Sequence, residues 1–281
     1  MWGYMRKLAI GAVVSGALAL GGLAAPAAQA AAPALTFTKV TVNKGKPIVV
    51  GTTAEVKVPV TYTLTRPADL TIDYKSNFAG VMLYRGSLKE QENSIEPDAA
   101  PVCTTTATTA TTVTQSCKET LVVDPWESLY DSADAGTWKA GGFYGHLDQE
   151  LDESDDHISV EYGFSLWGGL GTAKVQRAAK LTVNASPEPA RAGKTLTVKG
   201  KLTRANWGSG TYTGYRGQKV TLQFKAKGTS TYKAVKTVTT GTGGALSTTT
   251  KATKSGAYRF VFAGTSTTAA KSAVGDSVVV K

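Results

Sequence analysis

The sequence predicts an all-β fold of two tandem β-sandwich domains, the second of them immunoglobulin-like. Short β-branched or alternating apolar segments recur, turn residues separate them, and a sustained 3.6-residue apolar repeat is missing from the sequence. The charge divides the chain in the same way. Residues 31–173 carry 10 Lys and Arg against 19 Asp and Glu, whereas residues 174–281 carry 19 against 2. The resulting net charges of −9 and +17 indicate two separately folded units.

The first 30 residues have the pattern of a secretory signal peptide. Arg6 and Lys7 precede an apolar run at 8–23, and Ala28-Gln29-Ala30 provides the small-x-small pattern of a cleavage site. The run contains glycines and is shorter than the roughly 20 apolar residues that a membrane span needs. We therefore expect residues 1–30 to be removed, leaving a mature chain that is secreted or wall-associated and has no membrane span.

The first domain is predicted over residues 31–178. Its expected strands lie at 41–42, 48–50, 56–64, 70–74, 158–167 and 175–181. Within 56–64 the apolar residues Val58, Val60 and Tyr62 share one face, as in a half-buried strand. Pro59 has no N–H to donate and places this strand at an edge or a bulge. The proline-containing stretch 88–142 is expected to form extended loops or further short strands.

Two cysteines, Cys103 and Cys117, lie in that stretch. An even pair in an exported chain is typical of one disulfide. Eight of the 13 residues between them are threonines, which suits an exposed hairpin or a glycosylated loop. Metal binding would need a CxxC pair or a nearby histidine, and the sequence has neither. We predict a hairpin closed by a Cys103–Cys117 disulfide.

The second domain, residues 179–281, has the more regular pattern. Seven short β-rich stretches separated by turn residues over about 100 residues predict an immunoglobulin-like sandwich. They lie at 181–183, 196–202, 220–224, 232–238, 246–250, 258–262 and 277–280. Because Val175 and Leu181 belong to one continuous β-rich stretch, the linker should be short and the movement of the two domains restricted.

Two segments of this domain carry a resemblance to a known family. They are Gly217-Gln218-Lys219-Val220-Thr221-Leu222-Gln223-Phe224 and Gly256-Ala257-Tyr258-Arg259-Phe260-Val261-Phe262-Ala263-Gly264-Thr265-Ser266, with Gly244 between them. The pattern resembles the bacterial Ig-like domains of secreted actinobacterial proteins, and the opening of the first domain, 40–53, is similar to uncharacterised proteins of the same origin. The resemblance implies a spacer, adhesion or wall-binding module and brings no catalytic residues with it.

Catalytic motifs are missing from the sequence. GxSxG and HExxH do not occur, and the two histidines, His146 and His157, are expected in polar surface loops. We therefore expect a protein that is not an enzyme. A secreted enzyme with an unrecognised site in the first domain remains the alternative.

The densest acidic run of the chain offers one metal hypothesis. Its candidate ligands are Asp148, Glu150, Asp152, Asp155 and Asp156. Carboxylate oxygens are what Ca²⁺ prefers, but the run lacks the glycine of an EF-hand loop. Three interpretations stay open: a weak calcium site, a solvated loop, and an intramolecular partner for the basic domain. No other cofactor is expected.

Aromatic residues offer a carbohydrate hypothesis. Trp126, Trp138 and Trp167, with Tyr130 and Tyr144, are either core and loop anchors or a sugar-stacking platform. Trp207 and Tyr215 flank a glycine-rich loop, and a loop between strands is expected to expose them.

The basic domain offers the hypothesis that we favour. Alternation along two of its strands leaves on the solvent side Lys199, Lys201, Lys219, Lys225 and Lys227. If the two strands are neighbours in one sheet, these lysines form a broad positive face; lysines also protect exposed sheets from aggregation. A net charge of +17 exceeds the magnitude of about 2–8 that solubility requires.

We therefore expect a secreted, non-catalytic binding protein that contacts anionic polymers such as wall teichoic acids or sulfated glycans. Nucleic acid is not the expected partner outside the cell. A structural, envelope-associated protein without a specific ligand is the remaining alternative.

Overall fold

The computed structural model describes residues 32–151 and 158–281. Within these ranges the regular structure is almost entirely β-strand, and the helical segments are short 3-10 turns. Several sheets pack against one another, so the predicted all-β sandwich fold is confirmed. Nowhere in the described ranges is there a helix of the length and apolarity that a membrane crossing needs. The predicted signal peptide lies outside the described residues.

The first sandwich contains two sheets. Its strands are β1 (Thr36–Val42), β2 (Ile48–Val50), β3 (Val56–Pro67), β4 (Asn77–Gly86), β5 (Gln91–Ile95), β6 (Val102–Thr108), β7 (Thr112–Val123), β8 (Gly136–Leu151), β9 (Ile158–Trp167) and β10 (Thr172–Arg177). One sheet has the order β1-β3-β7-β6, and the other has the order β2-β10-β8-β4-β5. The long strand β8 pairs with β10 near its start and with β9 further along.

Alternation along β3 builds the core between these sheets. Val58, Val60 and Tyr62 are buried, as predicted, and belong to the same apolar cluster as Trp138 of β8. Strand β3 is internal, between β1 and β7, although Pro59 had predicted an edge or a bulge. Pro59 itself lies at a local edge of the sheet, because the pairing of β3 with β1 ends at Val60, one residue after the proline.

Strands β6 and β7 form the predicted disulfide hairpin. Cys103 lies directly opposite Cys117, with their Cα atoms 4.1 Å apart and their sulfurs bonded. Cys117 is fully buried, whereas most residues of β6 are exposed. The disulfide therefore fastens an exposed edge strand to a strand of the core.

The predicted strand at 70–74 is wrong: residues 70–73 form no regular structure, and local hydrogen bonds hold the bend that follows at 74–76. The Asp73 carboxylate accepts the backbone N–H groups of Lys75, Ser76 and Asn77, each at 2.9 Å. These bonds hold the pKa of Asp73 down at about 2. Side chains that bond nearby backbone in this way compete with sheet formation.

The second sandwich also contains two sheets. Its strands are β11 (Ala179–Leu181), β12 (Asn184–Ser186), β13 (Thr195–Asn206), β14 (Thr211–Gly214), β15 (Lys219–Ala226), β16 (Lys233–Thr239), β17 (Ala245–Lys251), β18 (Gly256–Phe262), β19 (Lys271–Ser272) and β20 (Asp276–Val278). In one sheet β13 lies between β11 and β12 on one side and β14 and β17 on the other. The other sheet has the order β16-β15-β18, followed by β19 and β20.

This strand order is that of an immunoglobulin-like sandwich, as predicted. The inner faces meet through fully buried side chains such as Leu196 and Val198 of β13, Leu222 of β15 and Phe260 of β18. The period-two alternation in the sequence therefore identified the core face of each sheet.

The two sandwiches are joined without a free linker. Only Ala178 separates β10 from β11, and its N–H donates to the Val50 carbonyl of the first sandwich at 2.8 Å. Its carbonyl accepts the N–H of Ala205, in the second sandwich, at 2.8 Å. Trp207 extends from the second sandwich into the core of the first, where its indole N–H donates to the Gly51 carbonyl at 2.9 Å. Shared hydrogen bonds and a shared core thus connect the two units.

Candidate functional site

The lysines singled out from the sequence lie in two different sheets. Lys199 and Lys201 lie on β13, whereas Lys219 and Lys225 lie on β15, with Lys227 just beyond its end. The condition for one continuous positive face, that these strands are neighbours, is therefore not met. The outer surfaces of both sheets are basic instead.

The outer surface of β13 and β17 carries lysines among hydroxyl groups. Lys199 lies opposite Ser247, and Thr197 lies opposite Thr249. Both lysines of β13 are exposed, as are Ser247, Thr249 and Lys251 of β17. We call this surface the lysine–hydroxyl face and define it as Lys199, Lys201 and Lys251 with Thr197, Ser247 and Thr249. Residues two apart on a strand point the same way about 7 Å apart, so Lys199 and Lys201 act as neighbouring charges.

The outer surface of β15 and β18 holds its cations differently. The Arg259 guanidinium lies 3.8 Å from the centre of the Tyr232 ring and donates through Nε to the Gln223 side chain at 2.9 Å. The Lys225 ammonium lies 5.1 Å from the same ring. Lys219 and Lys227 stand at the two ends of the strand, roughly 27 Å apart for eight residues. Of the cations on β15 and β18, Lys225 and Arg259 thus lie near an aromatic ring, and Lys219 and Lys227 are widely separated.

The carboxylates of the second sandwich do not neutralise its cations. Residues 174–281 contain two acids, Glu188 and Asp276. Asp276 accepts the Ala185 N–H at 2.6 Å, and desolvation together with the neighbouring Asp276 raises the pKa of Glu188. Among the described residues, the salt bridges join Arg85 to Glu92 and Asp134, all in the first sandwich. The basic surfaces are therefore left open to an external anion.

The acidic run proposed for calcium is only partly described. Asp148 and Glu150 lie on β8 and not in a loop as expected, because β8 continues to Leu151 opposite β9. Asp152, Asp155 and Asp156 lie outside the described residues. Within the part of the chain that the structure describes, no three His, Cys, Asp or Glu side chains are grouped so that they could hold a metal ion.

The histidines behave differently from expectation where they are described. His146 lies on strand β8, half-buried, with Nδ1 2.8 Å from the Asn77 side-chain oxygen, and not in a surface loop. His157 lies outside the described residues.

Burial reverses the prediction of which aromatic side chains are exposed. Trp207, expected to be exposed, is only 2% exposed because the first sandwich covers it. Trp138 is fully buried, and Tyr215 lies under the Arg204 guanidinium at 3.9 Å. Among the aromatic residues whose burial the structure describes, Trp126 is 58% exposed and Tyr130 is 64% exposed. Sequence alone did not rank these two first, because their exposure depends on where the loop packs.

A buried carboxyl group, Glu119 on β7, was missed by sequence analysis. It accepts the Val81 N–H at 2.9 Å and the Tyr62 hydroxyl at 3.1 Å. Burial raises its pKa to about 8. The signal was present in β7, because alternation places Glu119 on the inner face with Cys117 and Leu121. Two surface depressions of about 250 and 220 Å³ do not include Glu119 among their lining residues.

Comparison with known proteins identifies no family. No family model matches this chain, and no curated protein matches it. Among solved structures, the chain is similar to the Bacillus anthracis TIE protein, with 9% identity and a TM-score of 0.21. The match covers 90% of this chain and 41% of that one, so this chain spans less than half the length of that protein.

Proposed function

We propose that this chain is a secreted, non-catalytic binding protein whose second sandwich contacts anionic polymers of a cell wall or extracellular matrix. The single observation that carries the proposal is the open charge of that sandwich. Residues 179–281 contain seventeen basic residues against two acids, and among the described residues those acids form no salt bridge with the cations. Exposed cations without a carboxylate partner attract polyanions over distances set by the Debye length, about 10 Å at 0.1 M salt.

The shape of the basic surface favours a polymer over a small anion. The cations lie along the outer faces of two sheets and do not converge in a cavity. A small ligand needs a concave site, whereas a chain with repeated negative charges is held by many weak contacts in a row. Repeating phosphates or sulfates match this arrangement.

The lysine–hydroxyl face is the preferred contact surface of this proposal. Lys199 and Lys201 are adjacent and exposed, and the hydroxyls of Ser247 and Thr249 lie beside them as further donors to a phosphate or sulfate. On the opposite sheet, Lys225 and Arg259 already lie near the Tyr232 ring, which lowers their availability.

Binding to purified cell wall tests the proposal. The chain without residues 1–30 is mixed with wall that keeps its teichoic acids and with wall stripped of them. We expect retention on the untreated wall, release by increasing NaCl, and loss of retention on the stripped wall. Equal retention on both walls, or retention that salt does not reverse, would contradict the proposal.

A further inference from the structure

A second exposed feature lies where the two sandwiches meet, outside the basic surfaces. Trp126 and Tyr130 belong to the segment 124–134 between β7 and β8. Both side chains are more than half exposed, although Leu129, which precedes Tyr130, is fully buried. Large aromatic side chains usually bury most of their surface, so two of them exposed on one short segment call for an explanation.

The segment that carries these rings is rigidly held. Asp134 is buried and accepts the Tyr130 N–H at 2.7 Å and the Asn93 side-chain amide at 3.2 Å. Its carbonyl accepts the indole N–H of the buried Trp138 at 2.8 Å. At the other end of the segment, the Asp124 carboxylate accepts the Trp126 N–H at 2.7 Å. The backbone that carries the two rings is therefore ordered before any ligand arrives, which lowers the entropic cost of binding.

The second sandwich completes the surface around Trp126. A Cβ atom at Gly210 would lie 2.2 Å from the Trp126 ring, so the indole packs directly on the glycine backbone. Gly210 also has a φ of +62°, which an L side chain adopts only with strain. Beside it, the exposed hydroxyls of Ser209 and Thr211 lie 2.9 Å apart. One edge of the Trp126 ring thus packs on Gly210, whose two neighbours in sequence carry exposed hydroxyl groups.

We propose that Trp126 and Tyr130 form a glycan-binding site that takes an uncharged polysaccharide through the C–H face of a pyranose ring. That face is apolar and packs on an aromatic ring, while the hydroxyls at the sugar rim bond polar groups around it. Ser209, Thr211 and the exposed Asp131 supply such groups. We call Trp126, Tyr130, Asp131, Ser209, Gly210 and Thr211 the aromatic ledge.

Charge and size decide the class of ligand. The segment carries Asp124, Glu127, Asp131 and Asp134 and no Lys or Arg, and Arg85 from β4 pairs with Asp134, so the segment's own charge disfavours an anionic glycan. A stable protein partner would need an interface of about 1,200–2,000 Å², with a larger apolar centre than two isolated rings provide. An uncharged sugar chain satisfies both conditions. The ledge is independent of the lysine–hydroxyl face and of the polyanion proposal.

Titration with two neutral oligosaccharides, cellohexaose and chitohexaose, tests this site in the chain without residues 1–30. We expect at least one of them to bind, to perturb tryptophan fluorescence, and to keep its affinity between 0.05 and about 0.5 M NaCl, because no charge is neutralised. Trp126→Ala and Tyr130→Ala should each weaken binding about tenfold or more. Trp126→Phe, which keeps an aromatic ring, should lose less than Trp126→Ala.

Val102→Ala is the matched control, because Val102 is 74% exposed and lies on β6 in the same sandwich. It should bind as the unaltered chain does. If the melting temperature of Tyr130→Ala is unchanged, its weaker binding reflects a lost ligand contact and not a lost fold. Failure of both oligosaccharides to bind, or binding unaffected by both alanine substitutions, overturns the proposal. Either result leaves salt-dependent retention on cell wall to be judged separately.

Discussion

The two sandwiches share an architecture but use their charged residues differently. In the first, carboxyl groups serve the fold: Asp134 organises the segment before β8, Asp73 holds a turn, and Glu119 bridges the two sheets. In the second, cations lie on aromatic rings or carbonyls, as Arg204 does on Tyr215 and Lys236 on the Thr249 carbonyl. The comparison shows that two sandwiches of the same architecture can carry different charged residues on their outer faces. The first sandwich uses several of its acids inside the fold, whereas the second leaves Lys199, Lys201 and Lys251 exposed on an outer face.

The largest expected effect is a pH dependence of stability that originates in the first sandwich. Because burial raises the pKa of Glu119 from an ordinary 4.5 to about 8, the folded state keeps a proton that the unfolded state loses. The contribution of Glu119 to stability is therefore largest below pH 4.5, falls as pH rises to about 8, and is constant above that pH. The full difference corresponds to about 5 kcal/mol.

Chemical denaturation at several pH values checks this expectation. Glu119→Gln keeps an acceptor for the Val81 N–H and removes the titration, so the decline between pH 4.5 and about 8 should disappear. The variant should be the more stable form at pH 8. A decline of the same size in this variant would assign the pH dependence to another group.

The next effect tests whether the sandwiches unfold together. Trp207→Ala removes a buried ring and its hydrogen bond to Gly51, which should cost about 4 kcal/mol. Because that ring belongs to the core of the first sandwich, we expect the single unfolding transition of the unaltered chain to split into two. Calorimetry measures this directly. A single transition at an unchanged temperature would show that the junction couples the units by other contacts.

The disulfide should act on the first sandwich alone. Replacing Cys103 and Cys117 together with alanine removes a crosslink with a sequence separation of 14, which should lower the free energy of unfolding by about 3 kcal/mol. The second sandwich should keep its own melting temperature in the Trp207→Ala background, where the two transitions are resolved. Equal loss in both transitions would mean that the hairpin supports the junction as well.

Period-two alternation was enough to predict the strands and the core faces. Val58 and Val60 of β3 and Leu196 and Val198 of β13 are buried as their spacing indicated. The predicted strand at 70–74 failed because the hydrogen bonds of one side chain, Asp73, outweigh the apolar pattern around it.

What alternation cannot show is which surfaces meet. Strands β13 and β15 lie in different sheets because of pairings between distant parts of the chain. The sequence therefore could not show that the lysines lie on two faces and not on one. The same reason accounts for Trp207, whose own loop predicts exposure and whose neighbour in space buries it. The same reason applies to Trp126, because the exposed fraction of its side chain depends on how its ring packs on Gly210 of the second sandwich.

The central claim, that the second sandwich binds polyanions through the lysine–hydroxyl face, is tested most directly by the salt dependence of binding to dextran sulfate. Lys199→Gln, Lys201→Gln and Lys251→Gln together form the test variant, and the matched control is the same change at Lys219, Lys225 and Lys227. We expect the slope of log affinity against log salt to become shallower by about three in the test variant and by less in the control. Equal slopes in the test variant and the unaltered chain would contradict the account.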